Sequence, residues 1–136
     1  MDWSECLKER IAKEIMIDKN LVDSLQETAE VKIKAAEFLP DELFVGKITL
    51  LYDALREYLE ALAIKNGYKI YNHECYTSFL KEVLNKSSDA DEFDNLRKIR
   101  NSINYYGRKI SKDEAHHIIK KLKQLIQKIK HELKNT

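Results

Sequence analysis

The sequence predicts an all-α protein, an up-and-down bundle of about five helices forming a single domain over residues 1–136. Three observations predict it. Gly occurs 3 times and Pro once, too few turn formers for a sheet-rich or loop-rich chain. Charged residues make up 35% of the chain, mostly Lys and Glu at helical spacing, which suits long solvated helices. Apolar residues recur at steps of three and four, and the connections between the periodic stretches are short. A chain of 136 residues can also bury a core without staples.

The first helical region is expected from about Ser4 to Leu39. Leu7, Ile11 and Ile15 recur every four residues, Val22, Leu25 and Ala29 continue the stripe, and Asp18-Lys19-Asn20 marks a bend or interruption. Pro40 stops this helix, because its ring blocks the backbone hydrogen bond of a helix interior. The second helix runs from about Asp41 to Asn66, with Phe44, Ile48, Leu51, Leu55, Tyr58, Leu59 and Leu62 on one broad apolar face. Gly67 ends it, since glycine takes a left-handed conformation without a Cβ penalty.

A short loop, Tyr68 to Tyr71, leads to a third helix over about Asn72–Lys86, capped by Asn72, with Cys75, Phe79, Leu80 and Val83 facing inward. The polar tract NKSSDADEFD reads as a loop that opens a fourth helix, about Asp89 to Tyr106. Ser111 and Glu114 have capping-box spacing and open the last helix, to about Lys134. Its stripe from Ile118 to Leu133 is the clearest in the chain.

Charge is divided along the chain. From Arg97 onward there are twelve Lys or Arg against three Asp or Glu, a balance of +9; residues 1–96 carry twelve against twenty, a balance of −8. Such a split can steer a polyanion to one end, or match the acidic part of another protein or a second copy. No apolar run reaches membrane-spanning length and the N-terminus lacks a signal-peptide core, so no membrane is expected and the location is read as cytoplasmic. Cys6 and Cys75 lack CxxC spacing and read as isolated thiols of a reducing cytosol; neither a metal site nor a cofactor is expected.

The functional candidates lie in LRKIRNSINYYGR, Leu96 to Arg108. At 100° per residue Leu96, Ile99, Ile103 and Tyr106 form the buried side. Arg97, Arg100 and Asn104 share one wedge, with Asn101 beside it and Tyr105 at its margin; Arg108 joins them if the helix persists past Gly107. Guanidinium groups next to amides suit a phosphate, because Arg presents a fixed fork of donors.

An all-α bundle with an Arg-Asn pair late in its penultimate helix resembles the HEPN superfamily, whose motif is Arg, four to six residues, then His, often with a polar residue after the Arg. The tract Tyr52 to Tyr76 also resembles the second and third helices of such domains. The resemblance implies a homodimer with the motif helices facing across a cleft, RNA as substrate, and a minimal nucleotidyltransferase as a partner of toxin-type members. By position Arg100 and Asn101 take the phosphate-binding roles, and Tyr105 stands where a four-residue spacing places His. A phenol with a pKa near ~10 is a poor base at neutral pH, so the phosphate-binding half is present and the usual proton-transfer half is not.

Three functions follow as expectations. One is a HEPN-like RNA- or nucleotide-binding dimer with weak or absent RNase activity. Another is an active metal-independent RNase toxin using Arg100, Asn101 and Tyr105. The third is a non-catalytic helical module whose basic face meets an acidic protein. The remaining histidines are weaker candidates. His116 and His117 point about 100° apart and cannot readily share a metal, His131 lies among lysines, and His73 with Glu74 opens a helix, either approaching a neighbouring site or, as the ordinary explanation, forming an exposed pair.

Overall fold

The computed structural model describes all residues, Met1–Thr136. It is a helical bundle with one small hairpin-like ladder: α1 (Trp3–Lys8), β1 (Ala12–Glu14), α2 (Lys19–Phe38), α3 (Phe44–Lys65), β2 (Tyr68–Ile70), α4 (His73–Ser78), α5 (Ser87–Tyr105) and α6 (Lys112–Lys134). α3 is the central helix, and α2, α5 and α6 all pack on it. From Ile48 to Ile64 it is buried on nearly every side, including Tyr52, Leu55, Tyr58, Leu59 and Leu62. An all-round apolar helix is stable only in that position.

The long helices start and stop where local chemistry directs. Asn72 caps α4 by accepting the Cys75 N–H at 2.8 Å. Ser111 and Glu114 form the capping box of α6. Leu39, before Pro40, is extended at φ −70°, ψ 138°, and ends α2. Gly67, at φ +87°, turns the chain from α3 into β2.

The expected first helix, Ser4–Leu39, is instead three elements. The chain leaves α1 through Arg10 at φ +59° and pairs β1 antiparallel with β2, Lys13 opposite Lys69. Of the bend or interruption expected at Asp18, the interruption is found: Asp18 starts a new helix, accepting the Leu21 N–H at 3.1 Å. The expected loop at Tyr68–Tyr71 is correspondingly the partner strand. The third helix widens into a π-type turn over Phe79–Val83 and stops at Asn85, φ +56°. Val83 is only partly buried there. Tyr106 is not on the buried side of α5; it lies beyond the last helical residue and is 82% exposed.

Cys6 and Cys75 are not separate thiols: they form a disulfide, both fully buried, that fastens α1 to α4. The expectation of a reducing compartment loses the support it drew from unpaired thiols. The N-terminal segment is tied to the same place by the Met1 amine on Glu74 at 3.0 Å and the Trp3 N–H on Glu82 at 2.7 Å. No helix is long and apolar enough to cross a membrane.

Candidate functional site

Three elements meet at one edge of the bundle: the middle of α3, the first residue of α4 and the second half of α5. α5 buries Phe93, Leu96 and Ile103, and that stripe turns Arg97 and Arg100 toward α3. The Arg100 guanidinium lies between two aromatic rings, 5.0 Å from the Tyr52 centroid and 5.2 Å from that of Tyr105. Its Nη1 donates to the Tyr105 hydroxyl at 3.0 Å. Its Nη2 stands 3.9 Å from Asp53, beyond hydrogen-bond length. Its Nε is sealed from solvent and has no partner.

The cations around it outnumber the carboxylates. Asp94 serves Arg97 at 2.8 Å and Lys98 at 3.0 Å. Glu60 serves Lys69 at 2.7 Å and leaves Arg56 at 3.7 Å. With Asp53, three carboxylates answer five cations. The edge therefore carries excess positive charge, with Arg100 the least well matched.

His73 completes the cluster. Its Nδ1 lies 2.7 Å from the Tyr52 hydroxyl. Burial, and after it the charges of Arg56, Arg100 and Arg97, pushes the imidazole down to about 4, so it is neutral at pH 7. Burial pushes the Tyr52 phenol up, so it keeps its proton. That proton has the imidazole as its hydrogen-bond partner, so Tyr52 donates and Nδ1 accepts. In the neutral ring the other nitrogen, Nε2, then carries the hydrogen. Nε2 makes no hydrogen bond and is not sealed off, so it reaches solvent as a donor. With no ligand bound, the imidazole offers this site a hydrogen bond rather than a charge.

Of the residues singled out from sequence, Arg97, Arg100 and Tyr105 come together here. Asn101 is half-buried beside them and Asn104 is exposed. Arg108 is elsewhere: α5 ends at Tyr105, Gly107 turns at φ +67°, and Arg108 pairs with Glu114 at 2.9 Å at the start of α6. Tyr52, Asp53 and Arg56 were not among the sequence candidates, and His73 is half-buried rather than exposed. Their nearness to Arg100 is tertiary; the only local signal is the Asn72 cap, which fixes where α4 begins.

His116, His117 and His131 are exposed. No three His, Cys, Asp or Glu side chains converge as metal ligands would. A groove of about 520 Å³ lies between α2, α3 and α6, lined by Lys47, His116, Lys120 and Lys123 but also by Glu37 and Asp41. It shares no residue with the Arg100 cluster. Compared with protein-family models and with curated proteins, the chain gives no match.

Proposed function

We propose that this chain is a HEPN-like domain that binds RNA or a nucleotide through phosphate, acts as a homodimer, and cleaves RNA weakly or not at all. The observation that carries this reading is Arg100, held between Tyr52 and Tyr105 on an edge where cations exceed carboxylates. A phosphate would supply the missing negative charge, and guanidinium groups bind it with directed hydrogen bonds. The exposed rings of Tyr105 and Tyr106, 66% and 82% accessible, offer stacking surfaces for bases or apolar contact for a second copy. Weak chemistry follows from the proton inventory: Tyr105 is a phenol, and the one imidazole nearby is neutral and donates. A nucleotidyltransferase partner remains part of the proposal on the resemblance alone.

The test is binding of labelled single-stranded RNA across a salt series, with chelator present. Phosphate contacts release counterions, so affinity should fall steeply with salt. Absence of any RNA complex at low salt sinks the reading. In the same mixtures the native protein should leave RNA intact or nearly so. Tyr105→His should raise any cleavage, since a placed general base contributes on the order of 10²–10⁴ in rate. Brisk cleavage by the native protein that Arg100→Ala removes would favour the RNase alternative instead. Light scattering should report a dimer at micromolar concentration; a monomer throughout removes that part.

One observation favours the protein-interaction alternative. Arg97 is already held by Asp94 and Arg108 by Glu114, so two of the expected phosphate ligands have partners within the chain. Binding to an acidic protein with no affinity for RNA is the outcome that selects it.

A further inference from the structure

The edge that holds Arg100 also holds a titratable group linked to it through one ring. Tyr52 carries the Arg100 guanidinium over its face at 5.0 Å and the His73 imidazole at its hydroxyl, 2.7 Å away. Resting on the phosphate-binding reading above, we propose that His73 is a proton-linked member of the site: when a phosphodiester settles on Arg100 in mildly acid solution, His73 takes up a proton from solvent and its hydrogen bond with Tyr52 reverses.

The charges that face His73 explain why. From α3 come Tyr52, Asp53 and Arg56, and from α5 Arg97 and Arg100. On its own helix, Glu74 is occupied by the Met1 amine at 3.0 Å. Burial, and after it three arginines against one aspartate, keeps a positive charge off the ring while the site is empty. A bound phosphodiester adds a negative charge among those arginines. At about 6–10 Å, with an effective dielectric near 20, one charge moves a neighbouring titration by about one to two pH units. The incoming proton goes to Nδ1, the one ring nitrogen without hydrogen. Nδ1 then donates to the Tyr52 oxygen, and the buried phenol hydrogen gives up its only partner, a cost that limits the coupling, while Nε2–H stays directed outward. Two consequences follow. The ligand gains an imidazolium beside it, and binding becomes tighter in mild acid, because proton and phosphate must help each other equally.

The experiment uses the full chain and a short oligouridylate with hydroxyl ends, whose phosphodiesters and bases keep one charge state between about pH 5 and about pH 8. Affinity is measured across that range for the native protein and for His73→Gln, which keeps a donor but cannot titrate. The native protein should bind about two- to tenfold more tightly at about pH 5 than at about pH 8, and His73→Gln should show a flat profile. In parallel, NMR of the native protein follows the His73 ring with and without RNA, and RNA should move its titration upward; this arm stands even if the variant folds poorly. An unmoved His73 titration in the bound protein, or the same pH slope in a folded His73→Gln, overturns the inference while RNA binding through Arg100 stands. No binding at any pH removes the phosphate reading itself, and this inference with it.

Discussion

Two tyrosines on α3, Tyr52 and Tyr58, have nearly the same surroundings and opposite consequences. Each is buried, each has a cation over its ring, and each gives its hydroxyl to a titratable partner. Around Tyr58 the charges close. Its hydroxyl donates to Glu30, Lys130 donates to the same carboxylate at 2.6 Å, and the three side chains bind α2, α3 and α6 together. Lys130, and after it Tyr58, holds the Glu30 carboxyl below its usual range. Around Tyr52 the charges stay open: the partner is a neutral imidazole, and Arg100 has only Asp53 at 3.9 Å. One arrangement is closed by a carboxylate, whereas the other leaves a guanidinium with no hydrogen-bonded carboxylate. The comparison teaches that a buried tyrosine under a cation is a structural joint when a carboxylate completes it, and a candidate binding site when none does.

The largest expected effect falls most heavily on the Tyr52 side. Replacing Cys6 and Cys75 by Ser should cost about 2–4 kcal/mol in denaturant unfolding of the oxidised protein, since the bridge closes a long loop. Hydrogen exchange should then quicken most in α1 and α4, which the bridge joins, and less in α2 and α6. Equal loosening around Tyr58 would mean that the two regions are one cooperative unit. Next comes an exchange of roles. Lys130→Ala should lower stability by about 1 kcal/mol, because Glu30 and Lys130 are both partly solvated, and should leave RNA affinity unchanged. Arg100→Ala should do the reverse, with little loss of stability and a large loss of binding.

The phenol pair is a finer probe. Tyr58→Phe should cost about 1 kcal/mol, the usual net worth of a hydrogen bond. Tyr52→Phe should cost less, because its partner is half-exposed, and the His73 ring should change its titration. The smallest effect is in pH. His73 titrates below its unfolded value of 6.5, so the unfolded chain binds a proton that the fold resists. Its contribution is complete above about pH 6.5 and declines as pH falls toward about 4. The Glu30 contribution, from a carboxyl depressed below 4.5, is lost only in more acid solution. Denaturation midpoints between about pH 7.5 and about pH 5 should therefore fall slightly in the native protein, by under ~1 kcal/mol given the exposure of the ring. They should fall less in His73→Gln. Identical curves for the two proteins would mean that His73 is not the group responsible.

How much of this was legible follows the range of each interaction. The caps at Asn72 and Ser111, the stop at Pro40 and the stripe of α6 are local patterns, and they stand where the sequence places them. From Leu7 to Ile15 a four-residue recurrence of apolar residues fits a continuous helix and equally a short helix, a turn and a strand in succession. Its strand is decided by pairing with Tyr68–Ile70, more than fifty residues away, and no local preference reports that. The disulfide is equally non-local, its cysteines 69 positions apart. In the site, Arg97 and Arg100 were legible because helical spacing sets their common face. His73, Arg56 and the ring of Tyr52 were not, because only the packing of α3 against α4 and α5 brings them to Arg100.

The most direct measurement of the central claim is RNA affinity across a salt series for three proteins: native, Arg100→Gln and Lys130→Gln. Both variants lose one cation that lies over a buried tyrosine, so their net charges match. If the open site binds phosphate, Arg100→Gln should weaken binding at least about tenfold and lower the salt slope by about 1, while Lys130→Gln tracks the native curve. Equal losses in the two variants, or an Arg100→Gln curve that overlays the native one, would contradict the account and point to the lysines of α6.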